Sequence, residues 1–148
     1  MCILGPHYST YEVTHQDILL ARKYGLLASA HMSGGFNRVV PDGIFKMRDD
    51  NLLDQKLNVV HGNDLSDEEL KILIDNGVKM TVTPEVEIQM GFGNPITGRV
   101  MEFGGRPSIG VDVESNISGD MFNVLRMALQ IPVSYTQLRA HETDSYLV

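Results

Sequence analysis

The sequence lacks the features that mark several classes of protein. It has no tryptophan and only one cysteine, Cys2, among 148 residues, so an internal disulfide is excluded and a reducing cytoplasm is the expected location. No apolar run approaches the roughly 18 residues of a membrane-spanning helix. The apolar start, residues 1–4, is cut short by Gly5-Pro6, unlike a signal peptide. We therefore expect no membrane partner.

Basic residues are also few. Twelve Lys and Arg stand against 19 Asp and Glu, which gives a formal net charge of −7. The basic side chains are scattered, whereas a nucleic-acid surface needs clustered Lys and Arg to meet the phosphates. A nucleic-acid partner is therefore not expected. The apolar fraction of 43% is sufficient for the core of one globular domain.

One stretch, residues 57–70, organises the chain. A short apolar run ends at His61, a polar turn follows, and Ser66 then begins a helix. Ser66 and Glu69 have the spacing of a capping box, and acidic residues in the first turn suit the helix dipole. The pattern predicts a strand that delivers one histidine to a loop, followed by a helix.

The same pattern recurs along the chain. Residues 26–30 lead into His31, and residues 108–111 lead into Asp112. A strand over 78–83, stopped by Pro84, leads into Glu85. Alternation of strands and helices predicts parallel strands, whose carboxyl ends meet at one edge of the sheet. A histidine or carboxylate just past successive strands is how an α/β enzyme builds a site.

The remaining elements are expected as follows. Residues 1–6 resemble the tail of a strand. Thr14 is expected to begin a helix through about Tyr24, with Asp17 at the capping-box position. A long loop over 33–54 has at most short helices near 44–47 and 52–55. Later elements are a Gly-rich loop over 91–95, a short helix near 98–103, and a helix from Ser118 or Asp120 to about Leu129.

The pattern is compatible with two α/β architectures. Length favours an open doubly wound sheet, because a closed eight-stranded barrel needs about 250 residues. The polar residues favour a barrel, because they follow consecutive strands as at a barrel mouth. These residues are His31, His61, Glu85 and Asp112. We therefore predict an α/β fold, a partial (β/α)8 TIM barrel.

Several motifs together resemble the second half of an amidohydrolase-superfamily barrel, in the branch of cytosine deaminases and triazine chlorohydrolases. The motifs are Asn58–Leu70, Thr83-Pro84-Glu85, Gly91–Pro95, and Gly110-Val111-Asp112 with Ser115-Asn116. Their order and spacing carry the resemblance, which covers roughly residues 1–130. It implies a segment running from about the end of strand 4 to helix 8 of such a barrel.

The resemblance implies roles for three residues. His31 matches a metal ligand, His61 matches a residue that contacts substrate and the attacking water, and Asp112 matches a ligand that also acts on the water. The implied cofactor is a divalent metal, zinc or alternatively iron, which makes hydroxide available at neutral pH. The implied reaction is hydrolytic displacement of an amine, amide or halide from a small substrate, with heterocycles among the candidates.

The chain departs from the family pattern at two places. The glutamate expected three residues after His31 is replaced by Gly34. Glu85 and Glu87 are expected on the loop that follows the strand over 78–83. There they could contact substrate, orient the leaving group or supply the carboxylate that is missing at Gly34. The family's His-x-His metal pair is absent from the sequence, and His7 and His15 do not replace it.

The end of the sequence has a separate interpretation. Residues 133–143 resemble, with one mismatch at Gln137, a translated sequencing adapter. We therefore divide the chain into residues 1–131, the barrel half, and residues 132–148, a non-native tail. His141 and Glu142 receive no functional weight.

Two functions remain open. In the first, the chain is a truncated, inactive piece of a metal-dependent hydrolase that acts on a small molecule and is a homo-oligomer in its full-length parent. In the second, it is a non-catalytic barrel that binds a small ligand or a metal. A His-x-His motif after an upstream strand of the full-length gene would favour the enzyme.

Overall fold

The computed structural model describes residues 1–32 and 38–144, and for residues 133–144 it gives only the helical backbone. The strands are β1 (Cys2–Ile3), β2 (Ala28–Met32), β3 (Leu57–His61), β4 (Lys79–Val82) and β5 (Ser108–Ile109). The helices are α1 (Tyr11–Lys23), α2 (Gly43–Asp49), α3 (Asp67–Asp75), α4 (Pro84–Gln89), α5 (Thr97–Glu102) and α6 (Met121–Asp144).

The five strands form one parallel sheet in the order β1-β2-β3-β4-β5. Each strand therefore lies beside its neighbour in sequence, as the alternation of strands and helices predicted. In the register of β2 and β3, His31 pairs with Val60 and Met32 pairs with His61. All carboxyl ends point the same way, so the polar residues that follow the strands are collected at one end of the sheet.

One face of the sheet carries a row of polar side chains. The Asn58 amide donates to Ser29 Oγ at 3.1 Å, and Thr81 Oγ1 donates to Asn58 Oδ1 at 3.0 Å. Thr81 and Ser108 hydroxyls lie 3.2 Å apart, which extends the row to β5. These side-chain bonds link β2 to β5 across the strands and support the parallel register.

The opposite face belongs to the hydrophobic core. Because side chains alternate along a strand, residues two apart share this face and pack under the helices. α1 contacts β2, and α3 contacts α2 and α5. Fully buried members of the core include Ala30, Met32, Leu57, Val59, Leu70, Leu73 and Val82.

The α3 start agrees with the prediction. Glu69 N–H donates to Ser66 Oγ at 3.2 Å, and Ser66 N–H donates to a Glu69 carboxylate oxygen at 2.8 Å. Both halves of the capping box are therefore present. This helix begins at the position that its local sequence predicts, immediately after the loop that follows His61.

Two predictions about helices were wrong. α1 begins at Tyr11 rather than Thr14, because Thr10 is its N-cap and accepts from Val13 N–H at 3.4 Å. Thr14 is instead buried, with its hydroxyl 3.0 Å from that of Ser9. The segment after β4 was expected to be a loop, yet it is α4: Pro84 ends the strand and also occupies the first helical turn, which its fixed φ favours.

Three other boundaries differ from the prediction. Residues 52–55 form no helix, and β5 ends at Ile109, so Asp112 lies beyond the strand. The last helix was expected to end near Leu129, yet α6 continues through Pro132 to Asp144. Pro132 packs closely on Gly98 of α5, where an added Cβ would lie 2.9 Å from the ring. No helix among the described residues is long and apolar enough to cross a membrane.

Candidate active site

Three side chains converge at the carboxyl end of the sheet. The rings of His31 and His61 have centroids 5.3 Å apart, and His61 Nε2 lies 3.9 Å from Asp112 Oδ2. His31 comes from β2, His61 ends β3, and Asp112 follows β5. The structure therefore brings together the residues that the spacing of the sequence had singled out.

The backbone is unusual at two of these three positions. His61 has a φ of 72° and Asp112 a φ of 68°, and the only other described non-glycine residue with a positive φ is Asn51. His, Asp and Asn tolerate this left-handed region better than most residues. Such conformations cost free energy and cluster at functional sites. At His61 the left-handed backbone interrupts the alternation that would otherwise set its ring on the opposite face from His31.

Gly62 extends the left-handed turn after His61. Its φ is 82°, and an added Cβ would lie 2.9 Å from Ile96 Cδ1 and 3.0 Å from Leu65 Cδ1. The left-handed conformation favours glycine here, and an added Cβ would also press on the ends of the Ile96 and Leu65 side chains. The turn that follows His61 therefore packs against the core beneath it.

The environments of the three side chains differ. His61 is 2% exposed, the Asp112 side chain is 25% exposed, and His31 is exposed. The pKa of His31 is lowered, first by the partial burial of its ring and next by the neighbouring His61, while Asp112 acts in the opposite direction. A lowered pKa keeps the His31 imidazole neutral near pH 7, the form in which it can bind a metal.

A fully buried carboxylate lies behind His61. Glu87 is 0% exposed, and its Oε1 is 3.2 Å from His61 Nδ1. The Thr83 hydroxyl lies 3.0 Å from the same nitrogen and donates to Glu87 Oε1 at 3.1 Å. Thr83 N–H donates to that oxygen at 2.7 Å, and the Asn63 amide donates to Oε2 at 3.1 Å. Both carboxylate oxygens are thus engaged with the protein's own donors.

Glu85 contacts a different part of the site. It accepts from Ser118 N–H at 3.2 Å, from Ser118 Oγ at 2.9 Å and from the Asn123 amide at 3.1 Å. These bonds tie α4 to the segment between Asp112 and α6. Glu85 and Glu87 therefore lie on a helix and not on a loop, and they face different partners. Their predicted contact with substrate stays a prediction.

The loop after α4 forms one wall of the site. The Phe92 ring stands edge-on to the His61 ring, with centroids 5.6 Å apart. The Asn63 amide also donates to the Asn94 carbonyl at 3.2 Å, which holds the loop against the turn after β3. The Gly-rich loop predicted over 91–95 therefore lies against the carboxyl end of the sheet.

His7 is a buried residue that the sequence interpretation set aside. It is 3% exposed, and neither ring nitrogen makes a hydrogen bond to the described residues. Its Nδ1 lies 3.8 Å from Asp64 Oδ1. Arg38 pairs with Asp64 at 3.0 Å and with Glu69 at 2.6 Å. The signal that could have found His7 is its place directly after the Gly5-Pro6 turn that follows β1.

The donors fit a divalent metal in type, and His31 and Asp112 could each supply a ligand. Imidazole nitrogen and carboxylate oxygen are the usual ligands of zinc sites, which keep three protein ligands when catalytic. Within residues 1–32 and 38–144, however, there is no group of three His, Cys, Asp or Glu side chains placed to hold an ion. The described residues alone therefore do not assemble three metal ligands. Gly34, at the position of the expected glutamate, lies outside them.

Comparison with solved structures decides the architecture. An adenosine deaminase from Xanthomonas campestris with bound zinc matches with a TM-score of 0.77 and 16% identity, over 92% of this chain and 33% of that chain. An amidohydrolase from Brucella melitensis matches with a TM-score of 0.73 and 18% identity, over 92% of this chain and 31% of that one. The chain has the fold of part of each of these two structures. The predicted partial (β/α)8 barrel is confirmed at the level of the fold.

A further match has the same character. An atrazine chlorohydrolase from Arthrobacter aurescens complexed with zinc has a TM-score of 0.59 and 15% identity, over 74% of this chain and 26% of that chain. The chain spans between a quarter and a third of the length of these amidohydrolase structures. No family model and no curated protein matches the sequence.

Proposed function

We propose that this chain carries part of the active site of a metal-dependent hydrolase. The observation that carries the proposal is the meeting of His31, His61 and Asp112 at the carboxyl end of a parallel sheet, with left-handed backbone at two of them. Solved structures of similar fold include a zinc-bound deaminase and a zinc-bound chlorohydrolase. The proposed reaction is hydrolysis of a non-peptide C–N or a C–halogen bond in a small heterocyclic molecule.

In this proposal His31 and Asp112 are two of the metal ligands, and zinc is the expected ion, with iron as the alternative. A bound divalent metal supplies hydroxide at neutral pH by lowering the pKa of water. The Asp112 carboxylate takes the proton of the attacking water and returns it to the leaving group. His61, 3.9 Å from Asp112, contacts the water and the reacting carbon. Glu85 is proposed to border the substrate, whereas Glu87, for which the sequence predicted the same role, is fully buried behind His61.

The wider setting of the enzyme is proposed on the same basis. We expect it to act in the cytoplasm, to be a homo-oligomer in its full-length form, and to be inactive as residues 1–148 alone. We keep the division between the barrel part, 1–131, and a non-native tail, 132–148. The single cysteine, which is free and exposed, agrees with a reducing compartment.

The decisive experiment replaces His61 and Asp112 separately by alanine in the full-length polypeptide that contains this chain. Asp112→Ala should lower zinc content and reduce release of ammonia or halide from amino- and chloro-substituted heterocycles. His61→Ala should reduce that release by about 10²- to 10⁴-fold while keeping most of the metal. Metal is measured by elemental analysis and turnover by product release. Wild-type rates in either variant would contradict the proposed roles.

A second function is favoured by two observations. The described residues form no three-ligand cluster, and a glycine stands where the resemblance implies a glutamate. Both features suit a non-catalytic barrel that binds a small ligand or a metal. The same substrate panel separates the two, because such a barrel would show heterocycle or zinc binding by calorimetry without release of product from any substrate.

A further inference from the structure

The strongest arrangement beyond the three converging side chains is the buried contact behind His61. Glu87 comes from α4, Thr83 from the junction of β4 and α4, and both reach the same ring nitrogen, Nδ1. Because the two groups approach one nitrogen from within the protein, the other nitrogen, Nε2, is left facing Asp112. The contact therefore distinguishes the two ends of one imidazole ring.

Hydrogen-bond accounting determines which nitrogen carries the proton in the neutral ring. Glu87 Oε1 can only accept, since it already takes bonds from the backbone N–H and the hydroxyl of Thr83. The Thr83 hydroxyl has given its single proton to that carboxylate, so it too can only accept from His61. A lone pair on Nδ1 would face two acceptors, whereas an N–H there satisfies both.

We propose that Glu87 and Thr83 are positioning residues that hold neutral His61 as the Nδ1–H tautomer and present the Nε2 lone pair to the site. Nε2 is then an acceptor, able to take a hydrogen bond or a proton from water beside Asp112. A histidine ligand or base is commonly oriented in this way by a partner on its other nitrogen. What the lone pair is used for rests on the proposed hydrolase function, and the tautomer does not.

Burial and the left-handed turn make this arrangement specific. Glu87 and His61 are 0% and 2% exposed, so water does not compete for Nδ1. The turn at His61 and Gly62 gives the ring its direction, and the Phe92 edge limits its rotation. Glu69 is the other buried carboxylate among the residues whose side chains are described, but it bonds to Arg38 and to the α3 cap and makes no contact with His61. It provides a matched control.

The test is nitrogen NMR of the chain of residues 1–148, labelled with ¹⁵N-histidine, without metal and at pH 8. The five histidines allow assignment of His61 by comparison with His61→Asn. We expect an excess of the Nδ1–H over the Nε2–H tautomer of about tenfold or more, the reverse of free histidine, since a hydrogen bond to a charged acceptor is worth about that factor. An Nε2–H tautomer in the wild type would overturn the inference without any variant.

Variants then identify the cause. The double variant Thr83→Val with Glu87→Gln should lower the tautomer ratio by about tenfold. Thr83→Ser combined with the native Glu87 should retain the wild-type ratio, and Glu69→Gln should leave it unchanged. An unchanged ratio in the double variant would overturn the inference. So would an equal shift in Glu69→Gln, because the tautomer would then follow general stability.

Failure of this inference can be distinguished from failure of the proposed function. If the chain and its full-length form neither bind zinc nor release product, the hydrolase proposal fails while the Nδ1–H tautomer persists. If product is released while His61 is the Nε2–H tautomer, the hydrolase proposal stands and the positioning role of Glu87 and Thr83 fails.

Discussion

Two histidines of this molecule are almost equally buried and are held in opposite ways. His61 is 2% exposed and has a carboxylate and a hydroxyl at Nδ1, whereas His7 is 3% exposed and has no hydrogen bond within the described residues. Around His61 the order comes from a backbone turn and from two hydrogen-bond acceptors at Nδ1, Glu87 and Thr83. Around His7 it comes from charge, with Asp64 held by Arg38. Equal burial therefore does not imply equal organisation.

The strongest way to break this contrast is to remove the charge near His7. Arg38→Ala would leave Asp64 and Glu69 without their cation, and the Arg38 and Glu69 side chains are only 16% and 5% exposed. We expect a loss of about 3 kcal/mol in the free energy of unfolding. Urea denaturation measures it.

The control for Arg38→Ala is Arg48→Ala. Arg48 pairs with Asp49 at 2.8 Å on the surface, where such pairs contribute only about 0–1 kcal/mol. Similar losses in the two variants would show that the buried network near His7 is not special.

The second prediction tests the backbone turn beneath His61. Gly62→Ala should destabilise the fold by about 3 kcal/mol, because the new Cβ meets Ile96 and Leu65 in addition to the strain of a left-handed φ. Gly25→Ala, at a φ of 66° with no atom within 4 Å of the new Cβ, should lose about 1 kcal/mol. Thermal unfolding of both variants checks the difference, which would vanish if packing did not hold the turn.

The third prediction concerns the pH dependence near His7. Burial lowers the pKa of His7, with Asp64 acting against it and Arg38 with it. Below about pH 6.5 the unfolded chain therefore binds a proton at His7 that the folded chain does not bind. The free energy of unfolding should fall as the pH drops through that value. His7→Leu should reduce this fall by up to about 1 kcal/mol per pH unit between pH 6 and 5.

Urea midpoints at pH 8 and pH 5 measure this effect. The difference at pH 8 reports the packing of leucine alone, and the change in that difference reports the histidine. An unchanged slope in His7→Leu would assign the acid sensitivity to other groups.

Glu69 affects the pH dependence of stability at a lower pH than His7 does. Burial alone would raise its pKa, but the hydrogen bond from Arg38 and the Ser66 N–H outweigh burial, so the pKa is lowered. Its contribution to stability is therefore present above the carboxyl pKa of the unfolded chain and is lost as the pH falls through the lower, folded value. Measurements at pH 5 lie above this loss and isolate His7.

Local patterns in the sequence were sufficient to predict part of this fold. The strand ending at His61 and the capped start of α3 depend on neighbours within a few residues, and both were predicted correctly. The convergence of His31, His61 and Asp112 followed from one topological rule, that parallel strands share an end. These features need no knowledge of distant contacts.

Other features depend on contacts that no local pattern contains. Pro84 is compatible with two local structures, because proline ends a strand and also favours the first turn of a helix. Whether a loop or a helix follows depends on the packing of α4. The turn of α4 then carries Glu87 inward to His61 and Glu85 toward Ser118. The two glutamates look equivalent in sequence, so their different partners could not be read from it.

The left-handed backbone at His61 and Asp112 also limits which amino acids can occupy those positions. In a survey of all substitutions there, the cost of the left-handed backbone would separate the amino acids before their side-chain chemistry did. Glycine, asparagine and aspartate would adopt this backbone most easily. An alanine variant changes the chain path and the functional group together. Asparagine at either position preserves the path and changes only the group, so it is the replacement that reports the chemistry of the side chain by itself.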